Sequence, residues 1–104
     1  GNITVRVKLN SVVVISTGAV NIGVASNDGF MIEATLTIRS LGVTGKCIGQ
    51  GLVTNMNTGS NFQMVSLAEV DIDTTISQTL DVTWQYSIAN AGNSVTSTNA
   101  KINI

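Results

Sequence analysis

Gly29 to Gly42 reads GFMIEATLTIRSLG, and its side chains alternate without a break. Phe30, Ile32, Ala34, Leu36 and Ile38 fall on one side of an extended chain, and Met31, Glu33, Thr35, Thr37 and Arg39 on the other. Side chains repeat every two residues along a strand, so this stretch has one apolar face and one polar face. It can be satisfied only by a core on one side and water or a partner on the other.

The rest of the chain repeats the pattern. Ile3, Val5, Val7 and Leu9 alternate with Thr4, Arg6 and Lys8, and Asn10-Ser11 marks a bend or bulge. Val12 to Ile15 is continuously apolar, which predicts cover on both faces, from the core or from a neighbouring subunit. Val20 to Val24 is a short, glycine-interrupted strand. Ser26-Asn27-Asp28-Gly29 is the strongest turn signal, because Asn, Asp and Gly tolerate left-handed dihedrals. Lys46 to Thr54 returns from a hairpin at Val43-Thr44-Gly45, with Cys47, Gly49, Gly51 and Val53 on one face. The two glycines leave a flat floor, either room for a bulky core residue opposite, the preferred reading, or a shallow groove. Further strands run over Phe62–Leu67, Ala68–Asp73, Leu80–Ile88 and Val95–Ile104, with the polar loop Asn55–Asn61 between. No helical periodicity is sustained over three turns. The expectation is an all-β, antiparallel β-sandwich of about eight strands, or a barrel, in a single domain spanning residues 1–104.

Composition limits what such a domain can do. Aromatic residues are 4 % of the chain, so the core must be aliphatic. Charged residues are 11 %, against about 25 % in an average domain, so the polar faces are Thr, Ser, Asn and Gln. Short neutral side chains lose little entropy on packing against a partner, which suits self-association. A net charge of −1 offers no field to gather a polyanion, so nucleic acid is not an expected partner. With no histidine and one cysteine, the common zinc sites, histidine-based catalysis and a disulfide framework are excluded. No apolar run reaches the roughly 18–20 residues of a membrane helix, so no membrane insertion is expected.

Candidate sites are sparse. Glu69, Asp71 and Asp73 share a face, as calcium ligands or a glycosidase carboxylate pair would. Strand neighbours two apart lie about 6–7 Å from each other, so solubilising charges are the preferred reading. Their plausible mates are Arg6, Lys8 and Arg39, and Arg6 with Lys8 alone can be read as a phosphate or sialic acid contact. Trp84 and Tyr86 share a face with Leu80, Val82 and Ile88, as a sugar-stacking pair or, preferably, as core. Serines and threonines lack a base beyond Lys46 or Lys101, so no catalytic residue is assigned and no enzyme is expected. Cys47 reads as a small buried hydrophobe. Asn2-Ile3-Thr4 matches the N-glycosylation acceptor pattern. No metal and no cofactor is expected.

Two stretches carry a resemblance. They are Gly29 to Gly51, GFMIEATLTIRSLGVTGKCIGQG, and Leu80 to Ile104, LDVTWQYSIANAGNSVTSTNAKINI. Together they cover about half the chain and resemble the jelly-roll head or tip domains of viral and phage fibre and spike proteins. The matching residues in the hairpin are Glu33, Ala34, Leu36, Thr37, Arg39, Gly42 and Gly45. Later come Asp73, Thr74, Leu80, Asp81, Val82, Thr83, Trp84, Asn93, Ser94 and Thr96. Trp84 and Gln85 stand in the reverse of that group's order. The resemblance implies a jelly roll at the distal or C-terminal end of a longer virion protein, and Gly1, read by itself, looks like an excision boundary. It implies a homo-oligomer, a trimer or in some viruses a pentamer, displayed on the virion surface or extracellularly for host attachment. The resemblance carries over no receptor-binding residue; independently of it, loops vary while strands keep the scaffold, so a glycan or protein receptor would meet the loops through Asn27, Asp28, Asn55, Asn57, Thr58, Asn61, Asn90 and Asn93. The rival readings are a carbohydrate-binding module and a purely structural minor capsid jelly roll.

Overall fold

The computed structural model describes residues 2–22, 28–66 and 68–87. It contains β1 (Asn2–Leu9), β2 (Val12–Ser16), β3 (Val20–Asn21), β4 (Phe30–Ser40), β5 (Gly45–Asn55), β6 (Asn61–Val65), β7 (Val70–Ile72) and β8 (Leu80–Tyr86). Among the described residues all pairings are antiparallel. The expected eight antiparallel strands are present. The strand expected at Val95–Ile104 lies outside the described residues.

The strands form two layers. In one, β1 is flanked by β8 on one edge and by β2 and β3 on the other. In the second, β5 is flanked by β4 on one edge and by β6 and β7 on the other. Among the described residues a single bridge, between Ser16 of β2 and Val65 of β6, joins them, and no pairing closes the sheet between β4 and β8.

Alternation sets the register. Val5 stands opposite Trp84 and Val7 opposite Val82 in the first layer, and Ile32 stands opposite Val53 in the second. The apolar rows meet in a core of Ile3, Val5, Val7, Val14, Ile15, Cys47, Val53, Met64 and Ile72. Burying each of the larger side chains contributes about 1.5–3 kcal/mol. Phe30 and Trp84 close one end of it with their rings edge to face, 4.9 Å apart.

Two expectations change and a third is borne out in detail. Within one chain Val12 to Ile15 is not covered on both faces: Val14 and Ile15 are buried, but Val12 and Val13 are 36 % and 38 % exposed. The cause is a β-bulge. Val7 pairs with Ile15 and Lys8 with Val13, so Val14 is the extra residue and two neighbours can both turn inward. Second, the strand predicted to reach Leu67 ends at Val65. The Ser66 hydroxyl donates to the Val14 carbonyl (2.8 Å) and accepts the Gly49 N–H (3.0 Å), tying the two layers together. Third, the bend at Asn10 is a left-handed residue (φ 53°) locked to Thr79 by hydrogen bonds in both directions.

The flat floor of Gly49 and Gly51 is filled from opposite, as preferred. A Cβ on Gly49 would stand 2.6 Å from Leu36 Cδ2 and 3.0 Å from Ile15 Cγ2. A Cβ on Gly51 would stand 2.6 Å from the Glu33 carbonyl oxygen and 2.8 Å from Met64 Cε. The backbone oxygen cannot swing aside as a side chain can. G51A is therefore expected to destabilise the fold by about 1–3 kcal/mol, read as a lower urea midpoint at unchanged slope. A midpoint equal to that of the wild type would contradict this packing.

Candidate functional site

One end of the sandwich gathers Asp28, Gly29 and the loop from Asn55 to Asn61. The organiser is Asn55, the last residue of β5, which is 2 % exposed. Its side-chain oxygen accepts the N–H groups of Asn57 (2.9 Å) and Thr58 (3.3 Å), and its Nδ2 donates to Asp28 Oδ2 (3.0 Å). Its own N–H donates to the Ser60 carbonyl and its carbonyl accepts from Gly59, both at 2.8 Å. A buried amide must have its polar atoms paired, and here the pairing bends the loop around it. The second strap runs to β4: Met56 N–H donates to the Gly29 carbonyl (2.7 Å), and Gly29 N–H donates to Asn57 Oδ1 (3.0 Å).

Met56, Asn57, Thr58, Gly59, Ser60 and Asn61 are all exposed. They offer neutral donors and acceptors on a braced loop, with the half-buried Asp28 as the nearby charge. Such a surface can hydrogen-bond hydroxyl-rich or amide-rich partners without desolvating a strong charge. The sequence treats Asn55 as a contact residue. The structure makes it a positioning residue, since its amide is spent inside the loop. Its burial had no signal in the polar run NMNTGSN. Asn27, Asn90 and Asn93 lie outside the described residues. Ser87 donates its N–H to the Asn2 carbonyl at the start of β1.

The charged residues do not form one patch. Arg6 and Lys8 are on the outer face of β1, where Arg6 Nη1 donates to Gln85 Oε1 (2.7 Å) and Lys8 stands opposite Asp81. Arg39 is exposed on β4. The acidic residues find a different mate from those expected. Asp71 pairs with Lys46 across β5 and β7, because that register sets them side by side. This hydrogen bond, and then the Asp71 charge, raise the Lys46 pKa. Asp73 instead accepts the N–H and hydroxyl of Thr75, which hold its carboxyl below the ordinary range. Among the described residues no group of three metal-ligating side chains comes together. Burial pushes the Cys47 thiol pKa up, the opposite of what a reactive cysteine needs.

Trp84 and Tyr86 are partly buried and pack against the core from the inner face of β8. A shallow groove of ≈ 450 Å³ does exist, on the outer face of β4, β5 and β6, lined by Glu33, Thr35, Gln50 and Gln63 among others. Its lining includes no aromatic ring. Comparison with known protein families, with characterised proteins and with solved structures finds no match to this chain.

N55A removes the hub while leaving the exposed side chains of residues 56–61 in place. It is expected to cost about 1–3 kcal/mol and to speed amide exchange at residues 56–60, whereas T58A stays within about 0.5 kcal/mol of wild type. Equal protection of the loop in N55A and wild type would refute the hub. For Asp73 the lowered native pKa means stability that is present above the unfolded value, about pH 4, and lost as pH falls through the native one. D73A should lower the melting temperature at pH 7, with the gap to wild type closing below pH 4. A gap of constant size would show that the carboxylate charge is not involved.

Proposed function

We propose that this chain is the head domain of a virion surface fibre or spike. In this reading it is a jelly-roll-type sandwich that self-associates about an axis, as a trimer or pentamer, and binds a host-surface glycan or protein. It acts by binding rather than catalysis and works outside the cell, on the virion surface. The observation that carries the reading is the braced, uncharged loop around Asn55, which bears one exposed apolar side chain, Met56, and lies at the far end of β5 from the hairpin turn that carries Leu41 and Val43. Leu41, Val43 and Ile76 are 82 %, 69 % and 57 % exposed, and hydrogen bonds between Gly42 and Thr74 bring their two turns together. A domain with a rigid polar loop cluster and an apolar end suits display, with attachment through one end and association through the other. The sequence resemblance in the β4–β5 hairpin and in β8 points the same way.

A carbohydrate-binding module is the second reading, favoured by the Glu33, Thr35, Gln50 and Gln63 groove, whose amides and carboxylate can meet sugar hydroxyls. It lacks the stacking ring that such sites use, since Trp84 and Tyr86 face inward.

The test is binding of the chain, coupled in many copies to beads, to glycan arrays and intact cells. Individually weak contacts are multiplied by repetition, so a single copy would under-report them. The expected result is capture that falls at least about tenfold in N57A/T58A and is unchanged in Q63A. Loss in Q63A alone would move the site to the groove. No capture by the multivalent beads would overturn attachment and favour a structural capsid role.

A further inference from the structure

The two ends of the sandwich lie far apart. β4 and β5 each run eleven residues, about 36 Å at the rise of a strand. The molecule measures 44 × 25 × 25 Å, so these strands follow its long axis. The Asn55 loop closes one end. The hairpin turn of residues 41–44 and the loop of residues 73–79 close the other, since Gly45 stands opposite Ile72 and Leu80 opposite Leu9. Leu41, Val43 and Ile76 are exposed there, and so are Val12 and Leu80, the two residues paired with Leu9.

These side chains sit on fixed turns. The Gly42 N–H donates to Thr74 Oγ1 (2.7 Å), and the Thr74 N–H donates to the Gly42 carbonyl (3.0 Å). Asn10 holds Thr79 in the same way on the other layer. Turns set in advance lose little freedom when a partner covers them, so an apolar patch built on them favours binding.

The charges around this end select the partner. Lys8, Arg39 and Lys46 stand beside it, and so do Asp71, Asp73 and Asp81. A polyanion or an anionic bilayer is recognised by a basic surface, and here the signs balance. An apolar centre rimmed by both signs is complementary to another copy of itself. Its size agrees. An end 25 Å by 25 Å offers about 600 Å² per copy, so two ends bury about 1,200 Å² together, the lower bound of a specific contact.

We propose that copies of this chain join end to end through Leu41, Val43 and Ile76, with the symmetry axis at this end and the Asn55 loops pointing away from it. This rests on the self-association in the function proposed above. It names the side chains that meet and the direction in which the loops are presented.

The experiment measures the mass of the whole chain by sedimentation equilibrium across a range of concentrations. The wild type should rise from one chain to a fixed multiple. L41K/V43K should raise the concentration of half-assembly by about tenfold or more, with the melting temperature of the dilute chain unchanged, because both side chains are exposed. M56K, which alters an exposed apolar residue at the opposite end, should leave assembly as it was. Amide exchange at residues 41–44 and 74–77 should slow as the chain assembles, and that at residues 56–60 should not. Equal half-assembly in L41K/V43K and wild type overturns the proposal and leaves self-association standing through another surface. Equal weakening by M56K also overturns it, since the contact would then be general stickiness. A wild-type chain monomeric at every concentration overturns both this contact and the self-association. If that monomer sediments with phosphatidylcholine vesicles and L41K/V43K does not, the apolar end meets a bilayer instead.

Discussion

The two layers of this protein approach each other over a place where the chain has no side chains. Gly49 and Gly51 lie on the inner face of β5, and the space above them is taken by Ile15 from the first layer and by Leu36 and Met64 from the flanking strands. A core with so few aromatic rings must reach interior packing density with aliphatic side chains. Vacating two positions in the central strand of one layer lets the β2 bulge settle onto it. The Ser66 hydroxyl then fastens the same contact by joining Val14 to Gly49. Much else follows from that contact: the single β2–β6 bridge, the end of β6 and the burial of Val14.

Polar groups are handled differently at the two ends. At the Asn55 end, one buried amide satisfies the backbone of its neighbours, and the exposed side chains of Asn57, Thr58 and Asn61 each accept one further hydrogen bond that braces the loop. At the other end, Gly42 and Thr74 bind their two turns through backbone and hydroxyl groups, and the apolar residues beside them stay exposed. The contrast between these ends gives the functional reading its direction, independently of any resemblance. The charges add little to stability. Lys46 and Asp71 pair on an exposed face, where solvent screens them.

The strands of this protein were legible in its residues because alternation is a local signal. The residues of β4 announce their faces one by one as far as Ile38, and β1 and β8 do the same, whereas the register shift between Ile38 and Ser40 has no mark in the alternation. Asn10 and the turn glycines were equally plain, since left-handed backbone restricts residue choice. The bulge at Val14 was not legible: a run of four apolar residues looks the same whether both faces are covered or one residue is inserted. Nor was Asn55 distinguishable from Asn57, because burial depends on what folds over a residue.

What the chain alone determined, then, was the set of strands, their apolar faces, an aliphatic core and a surface short of charge. All of these depend on side chains within a few positions of each other. Tertiary structure decided which strands lie side by side, that Lys46 rather than Arg6, Lys8 or Arg39 meets Asp71 of the acidic row, and that Asn55 serves the loop from inside. Those outcomes depend on pairing between residues far apart in the chain, and many registers satisfy the same alternation until packing selects one.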